Sequence, residues 1–178
     1  NVLQLYGEHL LRFKLDPNTP RREYKQKIVQ PTLDVEGIKE YRIVLTNYET
    51  VRDYQFSMGI INWGVVIADE AQKIKTPSTL ITNAVKALKT DFSIANTATP
   101  VENSLVDLWC IIDFVYPGYL GSLKRFTTKY VTPLRKNVAI ESLSEELRVE
   151  LKNILMRRMK EDILEELPRK EEYYEEIE

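Results

Sequence analysis

The sequence predicts an α/β fold in which a parallel β-sheet is flanked by helices. Two short apolar runs, residues 64–68 and 92–95, each end in polar residues, and a segment with helical periodicity lies between them. A strand–helix–strand unit of this kind makes the strands parallel and brings their C-terminal ends to one edge of the sheet. Open α/β sheets bind their ligands at that edge, so we expect the polar residues there to form a site.

The first of these strands is followed directly by two acids, Asp69 and Glu70. Residues 64–68 are small or β-branched, which predicts a strand buried on both faces of the sheet. A hydroxyl and a proline at Thr76-Pro77 then predict a helix start. The helix would cover the sheet with one apolar face, formed by Leu80, Ile81, Ala84, Val85 and Leu88.

Two further strands are predicted before this unit. Residues 2–6 form a short one, and residues 41–45 form a clearer one that ends in a polar turn and leads into a helix at 48–58. Residues 12–35, between the strands, are polar and contain three prolines, which predicts a surface connection.

The rest of the chain has a helical pattern. Ser104 and Asp107 have the spacing of a capping box, and an apolar face follows, formed by Leu105, Leu108, Trp109, Ile112 and Val115.

Beyond Pro117-Gly118, which would end that helix, the pattern predicts a helix at 126–131 and a loop at 133–138. A longer helix is predicted from residue 142 to 168, and residues 171–177 have the weak alternation of a strand or a tail.

Length and composition bound the possibilities. At 178 residues and 43% hydrophobic, the chain is large enough for one compact core. A formal net charge of −2 argues against a surface that binds phosphate everywhere, so any DNA contact would come from local patches. The single cysteine, Cys110, excludes a disulfide within the chain and fits a reducing cytosol. No apolar run reaches membrane-spanning length.

Two motifs at the predicted sheet edge resemble those of a known family. Asp69-Glu70-Ala71-Gln72 resembles motif II (Walker B) of superfamily-two helicases, in its DEAQ form. Thr97-Ala98-Thr99-Pro100-Val101-Glu102-Asn103, followed by Leu108-Trp109, resembles motif III, with Ala98 where most members have glycine. Together they resemble the Swi/Snf-type branch of double-stranded-DNA translocases, and residues 116–122 are similar to bacterial members.

This resemblance implies a partial RecA-like lobe with a helical protrusion. Residues 1–115 would be the C-terminal part of the first RecA-like ATPase lobe, residues 116–168 a helical extension, and residues 169–178 the start of a linker to the second lobe. The implied activity is DNA-dependent ATP hydrolysis coupled to movement on double-stranded DNA, in the bacterial cytoplasm and without a membrane partner.

The residues of these motifs then have implied roles. Asp69 would hold Mg²⁺ through a water molecule, because a hard cation favours carboxylate oxygen. Glu70 would orient or deprotonate the water that attacks ATP. Gln72 can both donate and accept hydrogen bonds, so it would sense the γ-phosphate and pass its state to Thr97 and Thr99.

Three polar residues have two open interpretations. Thr46 and Asn47 resemble motif Ib, which lies against the DNA backbone in the family, and short hydroxyl and amide groups suit phosphate contacts. They would serve equally to end the strand and cap the following helix. Asn103 ends motif III, where it would couple nucleotide to DNA or, more simply, hold the turn or cap the next helix.

Other parts of an ATP site are not found in this sequence. None of its six glycines begins or completes G-x-x-x-x-G-K-[ST], the loop whose amides bind the β- and γ-phosphates. In the family, the arginine finger comes from the second lobe. We therefore expect a fragment of a longer protein, which by itself binds nucleotide weakly and does not hydrolyse ATP.

Two alternatives stay open. One is another superfamily-two motor, such as a restriction-enzyme translocase subunit or an RNA helicase, although the continuation from Asn103 to Leu108-Trp109 argues against it. The other is a non-catalytic module that binds DNA or protein, although the intact Asp69-Glu70 pair argues against that.

Overall fold

The computed structural model describes residues 1–15, 32–101, 103–136 and 140–157. The chain divides into two compact units, Asn1–Lys136 and Asn137–Glu178. The first unit extends past residue 115, where the sequence predicts the RecA-like lobe to end, and the roles of the later residues as extension and linker stay predictions. Among the described residues, none of the helices combines the length and hydropathy that a membrane span requires.

Four strands in the described part of the chain form two parallel pairs. β1 (Val2–Gln4) pairs with β2 (Ile43–Leu45), and β3 (Asn62–Ala68) pairs with β4 (Lys89–Ala95). Ala68 lies opposite Ala95, so β3 and β4 end at the same level. The prediction that parallel strands bring their polar ends to one edge is therefore confirmed.

Helices connect these strands and follow them. The helices between the strands are, in chain order, a 3-10 helix (Gly7–Phe13), α1 (Val35–Lys39), α2 (Tyr48–Asp53), α3 (Gln55–Gly59), a second 3-10 helix (Ala71–Ile74) and α4 (Leu80–Lys86). The helices after β4 are α5 (Leu105–Val115), α6 (Leu123–Phe126), a π-helix (Thr127–Val131), α7 (Thr132–Arg135) and, in the second unit, α8 (Ile140–Leu151).

The core of the first unit lies on one face of the strands. Leu3 of β1 and Ala68 of β3 are buried there together with Ile38, Ile74 and Ile111 from the connecting and following helices. Each large apolar side chain that is fully buried contributes roughly 1.5–3 kcal/mol of transfer free energy. This packing fixes the edge at which β3 and β4 end.

β3 is buried on one face only, which corrects the prediction that both faces are buried. Val65 and Ile67 are 53% and 65% exposed, and Phe92 of β4 is 62% exposed. Successive side chains of a strand lie on opposite faces, so these three share the face away from the core. A run of apolar residues indicates that both faces suit burial, but it does not show which face the described elements cover.

Two predicted helices are shorter in the structure. The helix at 48–58 is broken at Tyr54, whose φ of −115° and ψ of 28° are not helical, and this residue separates α2 from α3. The helix predicted at 142–168 corresponds to α8, which ends at Leu151. The predictions for residues 158–178 lie outside the described residues.

The helix predicted to begin at Thr76-Pro77 begins later, at Leu80. Ser78 has a φ of 64°, in the left-handed region, which interrupts a right-handed helix. Thr79 then caps α4, because its side chain accepts a hydrogen bond from the Thr82 N–H.

The helical segment after α5 is longer than predicted. α6, the π-helix and α7 follow one another without a break, so the loop predicted at 133–138 is helical as far as Arg135. Pro133 is tolerated because it lies in the first turn of α7. Phe126 and Tyr130 are buried and anchor this segment, with ring centroids 5.1 Å apart.

Candidate functional site

The backbone hydrogen bonds between β3 and β4 continue past the ends of both strands. The Asn96 N–H donates to the Ala68 carbonyl at 2.8 Å, and the Ala71 N–H donates to the Asn96 carbonyl at 2.9 Å. Asp69 and Glu70 therefore form a tight turn held beside the segment that begins at Asn96. The site is built from this turn and that segment.

Asp69 is exposed and is held at two points. Its Oδ1 accepts a hydrogen bond from the Asn96 Nδ2 at 2.9 Å, and its backbone carbonyl accepts one from the Tyr48 hydroxyl at 2.7 Å. Within the described ranges its Oδ2 has no hydrogen-bond partner. The carboxylate is thus oriented through one oxygen and available through the other.

Glu70 has a left-handed backbone conformation, with φ 52° and ψ 50°. A residue with a Cβ adopts this conformation at a cost of roughly 1–2 kcal/mol. The conformation turns the chain into the 3-10 helix Ala71–Ile74, where the Lys73 N–H donates to the Glu70 carbonyl at 3.0 Å. Backbone strain of this kind is concentrated at functional sites.

A chain of side-chain hydrogen bonds joins the two motifs. The Thr97 hydroxyl donates to the Gln72 Oε1 at 2.6 Å, and the Gln72 Nε2 donates to the Glu70 Oε2 at 2.6 Å. A carboxylate accepts hydrogen bonds and does not donate them, so the Glu70 side chain requires the amide nitrogen of Gln72, which turns the amide oxygen toward Thr97. The link that the sequence predicts between Gln72 and motif III is present for Thr97.

Tyr48 is the first residue of α2 and packs, half-buried, against the core of the first unit. Burial raises the pKa of its hydroxyl to about 12, and the negative charges of Asp69 and Glu70 add to the effect. The hydroxyl is therefore protonated at neutral pH and serves as a donor to the Asp69 carbonyl.

Thr46 and Asn47 have structural partners. The Thr46 hydroxyl donates to the Leu5 carbonyl at 2.9 Å, and the Asn47 Oδ1 accepts from the Thr50 N–H at 2.8 Å, which caps α2. These are the hydrogen bonds expected of residues that end a strand and cap the following helix. Asn47 is exposed, and its Nδ2 donates to no other group among the described residues, so a phosphate contact stays a prediction for it.

Thr99 is connected to the hydrogen-bonded chain that includes Glu70, whereas Asn103 is bonded at the start of α5. The Thr99 N–H donates to the Thr97 Oγ1 at 3.2 Å, so Thr99 is connected to that chain through Thr97. The Asn103 N–H donates to the Asp107 Oδ2 at 2.9 Å, beside the capping box that Ser104 forms with Asp107. Asn103 therefore holds the start of α5, and its coupling role stays a prediction.

Sequence reasoning missed two residues of this site, Asn96 and Tyr48. Asn96 is the first polar residue after β4, and the pairing of Ala68 with Ala95 puts it next to Asp69, so register would have identified it. Register could not have identified Tyr48, because its contact joins elements that are not neighbours in either sheet.

The side chains present fit a magnesium ion that arrives with a nucleotide. No cluster of three or more His, Cys, Asp or Glu side chains able to hold a metal occurs in the described part of the chain. Mg²⁺ usually takes one or two carboxylates and completes its shell with water and substrate phosphates, rather than using an all-protein cage. The Oδ2 of Asp69 supplies one hard oxygen of this type.

The fold and the two motifs define the class of protein. The sequence profile of the SNF2-related domain matches residues 12–178, and the chain belongs to this family. Its fold is accordingly that of part of a RecA-like lobe of a Swi/Snf-type ATPase in helicase superfamily two, with parallel strands flanked by helices.

Relatives of this chain occur in bacteria and eukaryotes. Zorya protein ZorD of Escherichia coli O139:H28 is 40% identical over 179 aligned residues, covering 95% of this chain and 16% of that protein. TATA-binding protein-associated factor 172 of Homo sapiens is 32% identical, over 77% of this chain and 8% of that protein. DNA repair and recombination protein RAD26 of Saccharomyces cerevisiae is 30% identical, over 76% and 13%. The chain spans less than a fifth of each relative's length.

Two solved structures share the fold. The Sulfolobus solfataricus SWI2/SNF2 ATPase core in complex with dsDNA is 38% identical, with a TM-score of 0.64 over 72% of this chain and 27% of that chain. The SWI2/SNF2 ATPase core domain of the same organism is 41% identical, with a TM-score of 0.61 over 73% and 27%.

Proposed function

We propose that this chain is part of a motor that hydrolyses ATP and moves along double-stranded DNA. Membership of the SNF2-related family supports the proposal, as does similarity to an ATPase core solved in complex with dsDNA. Because the chain spans a small part of its relatives, we assign the activity to the complete protein. We place that protein in the bacterial cytoplasm, where duplex DNA and ATP are both present.

The observation that carries the proposal is the hydrogen-bonded chain from Thr97 through Gln72 to Glu70. It connects the end of β4 to the acid that is best placed to handle a water molecule. Enzymes that hydrolyse nucleotides work by positioning the reactants and stabilising charge, because there is little covalent chemistry for the protein to do. A bond network that orients a carboxylate serves that purpose.

In this mechanism, Glu70 orients the attacking water and accepts a proton from it. The Oε2 of Glu70 is held by Gln72, which leaves Oε1 for the water. The substrate is ATP with its magnesium ion, and the Oδ2 of Asp69 would bind a water molecule of that ion. Thr97 and Thr99 would then report the state of the nucleotide to the DNA-binding side.

The remaining parts of the machinery are proposed to lie outside these residues. They are a phosphate-binding loop and a second RecA-like lobe with its arginine finger. The chain by itself would bind Mg-ATP weakly and would not hydrolyse it. Asn47 and Thr46 are the proposed DNA contacts. Asn103 is proposed to hold the start of α5 and to couple the nucleotide site to the DNA-binding side.

The test is ATP turnover by the full-length protein with and without duplex DNA, compared with its Glu70→Gln variant. We expect strong stimulation by duplex in the wild type and a loss of at least roughly a hundredfold in the variant, the lower range for a general base. Glu36→Gln is the matched control, because Glu36 is exposed and pairs with Lys39 on the surface of α1.

Other results would favour the alternatives. Stimulation by RNA alone would assign the protein to another helicase branch. A complete protein without turnover under any condition would favour a non-catalytic module that binds DNA or protein. Unchanged turnover in Glu70→Gln would remove the assigned role of Glu70 while leaving the motor in place.

A further inference from the structure

The Tyr48 side chain joins two parts of the fold that share no strand pairing. Tyr48 follows β2, whereas its acceptor, the Asp69 carbonyl, follows β3, and β2 and β3 belong to different sheets of the described residues. The hydroxyl and the carbonyl oxygen are 2.7 Å apart. This bond therefore connects the turn after β2 directly to the turn that carries the two acids.

The acceptor is placed where it controls the geometry of Glu70. The Asp69 carbonyl belongs to the peptide group that precedes Glu70, and the orientation of this group is coupled to the φ of Glu70, which is 52°. A donor on that carbonyl fixes the plane of the peptide. It thereby helps to hold Glu70 in a conformation that the residue would otherwise leave.

The donor end is attached firmly to the turn at Thr46 and Asn47. The Thr46 hydroxyl is bonded to the Leu5 carbonyl, and the Asn47 side chain caps the helix that Tyr48 begins. Tyr48 also packs against the core, so its ring cannot swing freely. A shift of this turn would therefore move the phenol hydroxyl relative to the Asp69 carbonyl.

We infer that Tyr48 is a positioning residue that makes the alignment of Glu70 depend on the state of the turn at 46–47. A DNA backbone bound at that turn would hold the Tyr48 bond in this geometry, and Glu70 would then orient its water correctly. This inference rests on the proposed function. It adds a second route between DNA and nucleotide, distinct from the route through Thr97 and Gln72.

The test is Tyr48→Phe in the full-length protein, because phenylalanine keeps the ring and removes only the donor. The kcat and KM for ATP are measured without DNA and with saturating duplex, together with the Kd for the duplex. We expect the duplex-stimulated kcat to fall roughly tenfold, the size expected when one hydrogen bond is lost. The KM and the Kd should stay within about twofold, since the hydroxyl is bonded to the Asp69 carbonyl, and the DNA-free rate should fall less than the stimulated rate, so that the fold stimulation by duplex decreases.

Tyr116→Phe is the matched control, since Tyr116 is exposed and lies in the turn after α5. Thermal unfolding of both variants separates coupling from loss of structure. Equal stimulation in Tyr48→Phe and the wild type would overturn the inference alone. A DNA-free rate that falls as far as the stimulated rate would also overturn it, because Tyr48 would then support the site without coupling it. A wild type that duplex does not stimulate would overturn the proposed function as well.

Discussion

The Nδ2 of Asn96 donates a hydrogen bond of 2.9 Å to the Oδ1 of Asp69, across the ends of two parallel strands. The backbone of Asn96 is bonded on both sides, to Ala68 and to Ala71. The amide is therefore a rigid donor, and it selects one orientation of the carboxylate. It leaves the other oxygen of Asp69 for a ligand.

Replacement of Asn96 by alanine should slow ATP turnover by the complete protein by roughly ten- to a hundredfold, since a hydrogen bond to a charged group contributes roughly 1.5–3 kcal/mol. The loss should appear in kcat with saturating Mg-ATP. Asn83→Ala is the control, because Asn83 is an exposed residue of α4. A variant as active as the wild type would show that Asp69 needs no partner.

The hydrogen-bonded chain from Thr97 through Gln72 to Glu70 should behave as one unit. Thr97→Val and Gln72→Ala should each lower the duplex-stimulated rate, and the double variant should lose no more than the larger single loss. Residues in one hydrogen-bond network show coupling energies of roughly 0.5–3 kcal/mol in double-mutant cycles. Thr132→Val, at an exposed position of α7, is the control for the threonine change. Strictly additive losses of rate in the double variant would contradict a coupled hydrogen-bonded chain.

Because Glu70 has a left-handed backbone conformation, a glycine at this position should give a more stable protein than an alanine, the reverse of their usual order in a helix. Glu70→Gly should make the complete protein more stable than Glu70→Ala, by about 1 kcal/mol, because only glycine adopts this φ without strain. Both variants should lack activity. The comparison is made by thermal unfolding, with Glu36→Gly and Glu36→Ala as the reference pair in a helix, where alanine should be the more stable.

Cys110 should react slowly with thiol reagents. Burial raises the pKa of its thiol, with a smaller opposing effect from the Lys86 charge, so the folded chain keeps the protonated and unreactive form at pH 8. The unfolded chain ionises first as the pH rises, so this group lowers stability above the pKa of the unfolded thiol. Labelling of Cys110 in the full-length protein, followed by mass spectrometry of the peptide that contains it, should be slow in buffer and complete in denaturant. Equally fast labelling in both would contradict the burial of Cys110.

Local rules succeeded at two places where a short pattern determines the geometry. The capping box at Ser104 and Asp107 is present, and so is the parallel pairing that brings Asp69 near motif III. Both depend on contacts that sequence spacing specifies.

The errors arise where tertiary context decides. Thr76-Pro77 has the chemistry of a helix start, but the left-handed Ser78 delays the helix until after Thr79. The contact of Tyr48 with Asp69 joins residues 21 positions apart in the chain, and neither strand register nor helical spacing specifies it. The position of Glu70 was predicted, but its strained backbone was visible only in the structure.

The uncovered side of the β3–β4 pair affects how the chain can be handled. An exposed hydrophobic patch covers this face, formed by Val65, Ile67, Phe92 and Ile94. The edges of the two strands can also form hydrogen bonds with other strands. When produced alone, these 178 residues should self-associate, bind hydrophobic dyes and accumulate in inclusion bodies. Measurements on these 178 residues alone would then report aggregation, so activity is measured on the full-length protein.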